Sequence, residues 1–234
     1  MKKNILIFTM VLLSGFSSHA QIKFGSDIYS RYLWRGLDFG DAPAFQPSLS
    51  YTTGGLTFGA WASYAFPTNG TTYSENDFFA SYTFATQNMG SFSALFTDYY
   101  FPSAGIPFGY YKPTTGNPVA AHTIEGGLSY TGAEKFPISL AFYTNLSNDP
   151  DNSAYIQAAY PFTVDDATLT LSAGFVPSKS VYYGIAKGGL TNLGLTASKT
   201  VAVTDKFALP LTVSYISNPA QDKTYLVFGV SFIF

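Results

Sequence analysis

The sequence lacks cysteine and is poor in charge. With no cysteine among its 234 residues, the chain can form no disulfide framework, catalytic thiolate or cysteine-ligated metal site. Only 11% of the residues are charged, against about 25% in ordinary soluble proteins, whereas aromatic residues make up 18%. A water-exposed surface this poor in charge would aggregate. The composition therefore favours lipid as the solvent on one side of the protein.

The first 20 residues have the three parts of a secretory signal peptide. Lys2 and Lys3 give a positive start, residues 5-16 form an apolar run, and Ser18 and Ala20 flank His19 in a small-x-small cleavage site. A membrane-spanning helix needs about 20 apolar residues, which is more than this run offers. We therefore predict export, removal of residues 1-20, and a mature chain of residues 21-234 that folds as one domain.

The mature chain also lacks a basic run. Processing leaves ten basic and fourteen acidic residues, a net charge of −4 with histidine neutral. Because no cluster of lysines and arginines is present to neutralise phosphates, we expect no nucleic-acid partner. Asp149 and Asp151 superficially suggest a calcium loop, but Ala154 stands where the turn glycine of such a loop belongs. We expect no metal and no cofactor.

Residues of alternating polarity predict strands along the whole mature chain. Each predicted strand is about ten residues long, the length that a tilted strand needs to cross a bilayer. The fold class predicted is all-β: a closed, antiparallel, up-and-down transmembrane β-barrel of twelve strands, with ten or fourteen as the alternatives. The twelve segments are 23-35, 44-53, 55-66, 76-86, 91-101, 121-131, 136-146, 153-163, 167-177, 188-200, 207-217 and 224-234.

The last segment and the connections support a membrane barrel. Residues 224-234 alternate in polarity and end on Phe234, which resembles the last strand of bacterial outer-membrane barrels, where it carries the assembly signal. Tight turns such as Thr53-Gly54 alternate with longer loops, as they do in barrels with short periplasmic turns and long external loops. We predict an outer-membrane location, with membrane lipid and the barrel assembly machinery as partners. A soluble sandwich or lipocalin-like barrel, with its faces reversed, is the competing fold.

The residues that would face the lumen are the candidate functional residues. A lumen roughly 10 to 14 Å wide follows from twelve tilted strands. Basic side chains on the first strand would face acidic ones across it and orient small hydrophilic solutes in a passive, porin-like channel. In the alternative, these charges pair and fill a closed barrel with a structural, scaffolding or surface-binding role. The candidates are Asp27, Arg31 and Arg35 on the first strand, Trp61 on the third, Asp77 on the fourth, Tyr99 on the fifth and Glu125 on the sixth.

Two further features concern a plug and an enzyme. The long loop of residues 102-120 is the predicted plug or receptor surface, because loops longer than about 12 residues tend to be functional. Its Tyr110, Tyr111 and Lys112 would fold into the mouth, or lie against lipid headgroups. The one mature histidine, His122, is not followed two residues later by the serine that outer-membrane lipases pair with it. We therefore predict no catalytic residues.

Part of the chain resembles the Gcw_chp family of bacterial proteins of unknown function. The resemblance rests on residues 30-37 (SRYLWRGL), 42-46 (APAFQ), 55-63 (GLTFGAWAS), 75-82 (ENDFFASY) and 124-130 (IEGGLSY), and it covers roughly residues 26 to 130. It implies an exported barrel with Arg35, Trp61, Asp77 and Glu125 at motif positions, and it implies no activity. The S-x-Y-x-x-RG start is also similar to that of murein-hydrolase scaffolding barrels, which keeps a non-channel role open.

Overall fold

The protein forms a closed antiparallel β-barrel. The structure is a computed structural model that describes residues 20–66, 73–116, 119–205 and 207–233. Within these residues twelve strands close the barrel, and two more form a separate short hairpin. The strands are β1 (Gln21–Tyr29), β2 (Leu33–Trp34), β3 (Leu37–Asp38), β4 (Ala44–Thr53), β5 (Leu56–Ala65), β6 (Ser74–Ala85), β7 (Ser91–Tyr100), β8 (His122–Thr131), β9 (Ser139–Ser147), β10 (Ala154–Val164), β11 (Ala167–Val176), β12 (Gly189–Thr204), β13 (Phe207–Asn218) and β14 (Lys223–Ile233).

Closure is achieved by pairing the first strand with the last. β1 pairs with β14 on one side, with Tyr29 opposite Gly229, and with β4 on the other, with Tyr29 opposite Ala44. Closure matters because an unpaired amide or carbonyl in hydrocarbon costs several kcal/mol. The helical content of the described ranges is two short 3-10 turns, 102–104 and 219–221, and no described helix is long and apolar enough to cross a membrane.

The two faces of the barrel are reversed relative to a soluble protein. On β7, Phe92 and Phe96 point outward and are about half exposed, whereas the alternate residues Thr97 and Tyr99 point into the lumen and are buried. The same pattern holds around the wall: large apolar side chains cover the outside, and the buried set is rich in polar residues such as Glu125. An apolar outer band is what a bilayer requires. The observed faces confirm the membrane-type barrel over its soluble competitor.

The first strand is shorter than the sequence predicts. The prediction ran it from residue 23 to 35, but β1 ends at Tyr29, and residues 30–43 turn into the lumen as β2 and β3. Ser30 ends the wall strand by exchanging hydrogen bonds with Phe228, through its amide (2.8 Å) and its hydroxyl (3.0 Å). At the tip of the hairpin, Arg35 and Gly36 both have positive φ, 52° and 81°, as a two-residue primed turn requires.

Two predictions concern residues outside the described ranges. The signal peptide falls almost wholly on residues 1-19, and the terminal aromatic is Phe234; neither is described by the structure. The remaining eleven barrel strands overlap their predicted segments. The largest differences are a later start for β9, at Ser139 instead of residue 136, and a later end for β12, at Thr204 instead of residue 200.

Candidate functional site

Residues 30–43 form an inserted segment that enters the lumen from the rim that carries the long loops. The Asn218 side-chain amide donates a hydrogen bond (3.1 Å) to the Gly36 carbonyl oxygen, which ties the tip to the wall. The approach is close: a Cβ atom at Gly36 would lie 1.7 Å from the Thr191 carbonyl oxygen. Only glycine fits a tip that combines positive φ with this contact.

Arg35 is the anchor of the inserted segment. Its guanidinium donates two hydrogen bonds to the Glu125 carboxylate on β8, at 2.6 and 2.9 Å, and one to the Tyr183 hydroxyl at 2.6 Å. The Arg35 side chain is 9% exposed and that of Glu125 is 2% exposed. Such a bidentate pair is strongly favoured once both charges are out of water. Aromatic faces enclose the guanidinium at 4.2 to 4.6 Å from their centroids, contributed by Trp34, Tyr143 and Tyr155.

Further aromatic contacts complete this anchor. The Tyr99 hydroxyl donates to the Glu125 carboxylate (3.0 Å), so the glutamate accepts hydrogen bonds from two residues, Arg35 and Tyr99. Trp34 stacks on Tyr183 with ring centroids 5.8 Å apart, and Tyr183 stacks in turn on Tyr155, also at 5.8 Å. The lumen at this depth is therefore filled by a packed cluster, with Tyr155 and Tyr183 each about 1% exposed.

The sequence predicts arginines on the first strand that face carboxylates across the lumen, and the structure does not contain this arrangement. Arg35 contacts Glu125 directly, and Arg31 forms ion pairs with Asp38 and Asp41 inside its own segment. Neither arginine lies on a wall strand, because β1 has already ended at Tyr29. Asp27, Trp61, Asp77, Tyr99 and Glu125 lie on the inner face of the wall strands.

The inserted segment divides the lumen. One cavity of about 380 Å³ lies toward β1, β13 and β14, and its lining includes Asp27, Arg31 and Thr212. A second, of about 320 Å³, lies toward β5, β6 and β7. Tyr32 lines both cavities, so the segment separates them. A third hollow belongs to the lipid-facing surface: it is lined mainly by outward residues such as Phe24, Leu49 and Phe78, and Trp61 and Asp77 of the adjoining strands also border it.

A pair of carboxyl groups lies on the inner face of β6. Glu75 is 3% exposed and accepts a hydrogen bond from the Tyr73 hydroxyl (2.8 Å). Asp77 is 7% exposed, and within the described residues its Oδ1 atom has no hydrogen-bond partner. The two residues are separated by one outward-facing residue, so their side chains share a face.

The predicted plug residues Tyr110, Tyr111 and Lys112 are not inside the barrel. Their loop lies over the outer wall, where Tyr111 stacks on the outward-facing His122 at 3.8 Å and its hydroxyl donates to Asp98 (3.3 Å). Tyr110 and Lys112 are exposed. The reason is an aromatic cluster on the outside: Phe108 meets His122 edge to face at 4.8 Å, and the histidine ring nitrogens face Asp98 and the Phe108 carbonyl.

Residues that sequence reasoning missed come from two segments. The alternation that placed Arg35 in the lumen placed Tyr32 and Trp34 on the lipid side, but the hairpin brings both inside. Tyr182 and Tyr183, in the loop between β11 and β12, also fold inward over the inserted segment. A pair of adjacent tyrosines in an otherwise polar loop was the available signal.

Comparison with known proteins identifies the fold. No family model matches the chain and no curated protein matches it, so membership of the Gcw_chp family stays a prediction. Among solved structures, the chain is similar to the KdgM porin in complex with disordered oligogalacturonate, with 11% identity, a TM-score of 0.51, and coverage of 92% of this chain and 99% of that one. A Rh. blastica porin mutant (12% identity, TM-score 0.37, 92% and 100% covered) and the translocator domain of the autotransporter NalP from Neisseria meningitidis (11%, 0.38, 99% and 93%) also match.

Proposed function

We propose that the protein is a porin-like, passive channel of the bacterial outer membrane for small hydrophilic solutes, narrowed by its inserted segment. The observation that carries the proposal is a closed barrel with an apolar outside and a cavity on each side of that segment, one lined largely by polar residues and the other by aromatic residues with Asp77. The interior of an outer-membrane barrel is either a water-filled channel or is occupied by loops, and here an inserted segment occupies part of it. The similarity in fold to a porin supports the same function. No catalytic role follows from this arrangement.

Removal of the inserted segment is the sharpest test. Tyr29, the last residue of β1, pairs with Ala44, the first residue of β4. A two-residue Asn-Gly turn can therefore replace residues 30–43. Glu125→Gln in the same variant avoids a buried unpaired charge. In planar bilayers we expect small conductance steps from the wild type and steps several-fold larger from this variant. Liposome swelling with sugars, amino acids and nucleosides then identifies the permeant class.

A closed barrel with a structural or surface-binding role is the second candidate. The burial of Arg35 and Glu125 favours it, because a fully buried ion pair closes the lumen at that depth. Wild-type protein without conductance, beside a conducting turn variant, would establish the closed barrel and reject the channel.

An export defect on removal of residues 1-20, and mislocalisation on Phe234→Ala, would test the signal peptide and the assembly signal.

A further inference from the structure

We propose that the luminal cavity between the inserted segment and strands β5 to β7 binds a small organic ammonium ion. We call it the aromatic cavity. Its lining is Tyr32, Trp34, Trp61, Asp77, Phe79, Leu95, Thr97 and Tyr99. The inference names a solute class for the proposed channel and rests on that function for its biological meaning, but binding is measurable without transport.

The first argument is that one buried carboxylate oxygen of Asp77 has no hydrogen-bond donor in the described part of the chain. Asp77 is nine-tenths buried, and in the described part of the chain Oδ1 accepts no hydrogen bond. A buried polar atom left unsatisfied is costly, so a partner for it is expected. Asp77 projects from the inner face of β6 and lines the cavity. The missing partner is therefore a donor or a cation that occupies the cavity.

The second argument is charge balance. Glu75 and Asp77 place two carboxyl groups side by side on one face, where they share a proton in the absence of a cation, and a bound cation would allow both to ionise. The two arginines of the inserted segment are already committed, Arg35 to Glu125 and Arg31 to Asp38 and Asp41. Within the described residues no ion pair reaches Asp77. When both carboxyl groups are ionised, none of the ion pairs of the described residues supplies a positive charge to Asp77.

The third argument is the lining, which selects the kind of cation. Aromatic faces attract ammonium groups, and the attraction is greatest where water is excluded. The ring centroids of Tyr32 and Trp61 lie 5.5 Å apart and those of Trp34 and Tyr99 lie 5.8 Å apart, and all four rings line the cavity. A calcium ion would instead require about six to eight oxygen ligands. Because no arginine is left for an anion, a zwitterion is disfavoured relative to a plain cation.

Intrinsic fluorescence gives a direct readout. The chain has two tryptophans, Trp34 and Trp61, and both line the aromatic cavity. We would titrate the detergent-purified protein with choline, with its uncharged carbon analogue 3,3-dimethyl-1-butanol, and with betaine, which adds a carboxylate. We expect saturable quenching by choline, with a Kd at least about tenfold lower than that of the neutral alcohol or betaine.

Variants connect the binding to Asp77. Asp77→Asn should remove the preference for choline over the neutral alcohol, whereas Asp27→Asn, in the other luminal cavity, should retain it. Equal affinities for choline and the alcohol in the wild type, or an undiminished preference in Asp77→Asn, would overturn the proposal. If Asp77→Asn does not fold, the affinities for choline, the neutral alcohol and betaine are compared in the wild type and in Trp61→Phe. A preference for choline that is weaker in Trp61→Phe supports the proposal, and an unchanged preference overturns it. Conductance recorded on the same preparation separates failure of this site from failure of the channel.

Discussion

Two long connections leave the same rim of the barrel and take opposite paths. Residues 30–43 fold into the lumen, and the described residues 101–116 and 119–121 fold over the outer wall. Both contain aromatic side chains, and composition alone does not distinguish them. The difference lies in the residues that each connection contacts. Arg35 binds Glu125 inside the barrel, and Phe108 and Tyr111 pack against His122 on the outside.

The comparison shows that the wall decides where a loop docks. An arginine side chain buried away from water needs a carboxylate in reach, and β8 provides one that is 2% exposed. Aromatic rings have no such requirement and pack against an apolar exterior. The inserted segment should therefore depend on single polar contacts, and the outer loop on distributed packing. Four predictions test this contrast.

Removal of the buried charge should have the largest effect. Arg35→Ala leaves Glu125 buried without its cation, which should cost about 3–5 kcal/mol of unfolding free energy. Denaturant unfolding in detergent measures it, with Lys199→Ala as the control. Lys199 pairs with Asp166 on the surface, and its loss should stay within about 1 kcal/mol. Similar costs for the two variants would show that the lumen is wet at this depth.

Glycine at the hairpin tip should come next. Gly36→Ala adds a Cβ atom against the Thr191 carbonyl in a left-handed conformation, and should cost about 2–4 kcal/mol. The matched control is Gly109→Ala in the outer loop, where a Cβ atom would meet open space. Thermal unfolding of both variants gives the comparison. A tolerated Gly36→Ala would mean that the tip can move away from the wall.

The outer loop should respond locally to the loss of its histidine. His122→Ala removes the ring that Tyr111 stacks on and leaves Asp98 with the Tyr111 hydroxyl in place of two partners, at a cost of about 1–2 kcal/mol. Trypsin cleavage after Lys112, followed by mass spectrometry, should become faster, while conductance is unchanged. Unaltered cleavage would place the loop's stability in other contacts, and altered conductance would connect this loop to the lumen.

Lowering the pH should have the smallest effect on stability. It acts on the loop between β11 and β12, which covers the inserted segment. The Val181 amide (2.9 Å) and Lys179 (3.3 Å) bind the Asp151 carboxylate and lower its pKa. The ionised form therefore stabilises this loop above the ordinary aspartate pKa of about 3.9, and the stabilisation is lost as pH falls through the lowered value. The gap in melting temperature between wild type and Asp151→Asn should be present at neutral pH and close in acid. A gap that persists in acid would contradict the assignment.

Much of the barrel could be predicted from the sequence, because strand periodicity is a local property. Alternation located the inward positions of Asp77, Tyr99 and Glu125, and the observed strands keep them there. Prediction failed at the first strand because alternation continues through Arg35 although the wall does not. A turn with arginine at positive φ is uncommon, so residues 33–38 carried no recognisable hairpin signal.

The sequence by itself determined a closed barrel with lipid outside, because period two and low charge leave few other ways to satisfy every backbone group in hydrocarbon. Only the tertiary structure decided which loop enters the lumen, which aromatic residues surround Arg35, and that, within the described residues, Oδ1 of Asp77 has no hydrogen-bond partner in a cavity lined by two tryptophans. The physical reason is that alternation is fixed along one strand. The partner of a buried charge is fixed by residues that are 90 positions away in the chain, as Glu125 is from Arg35.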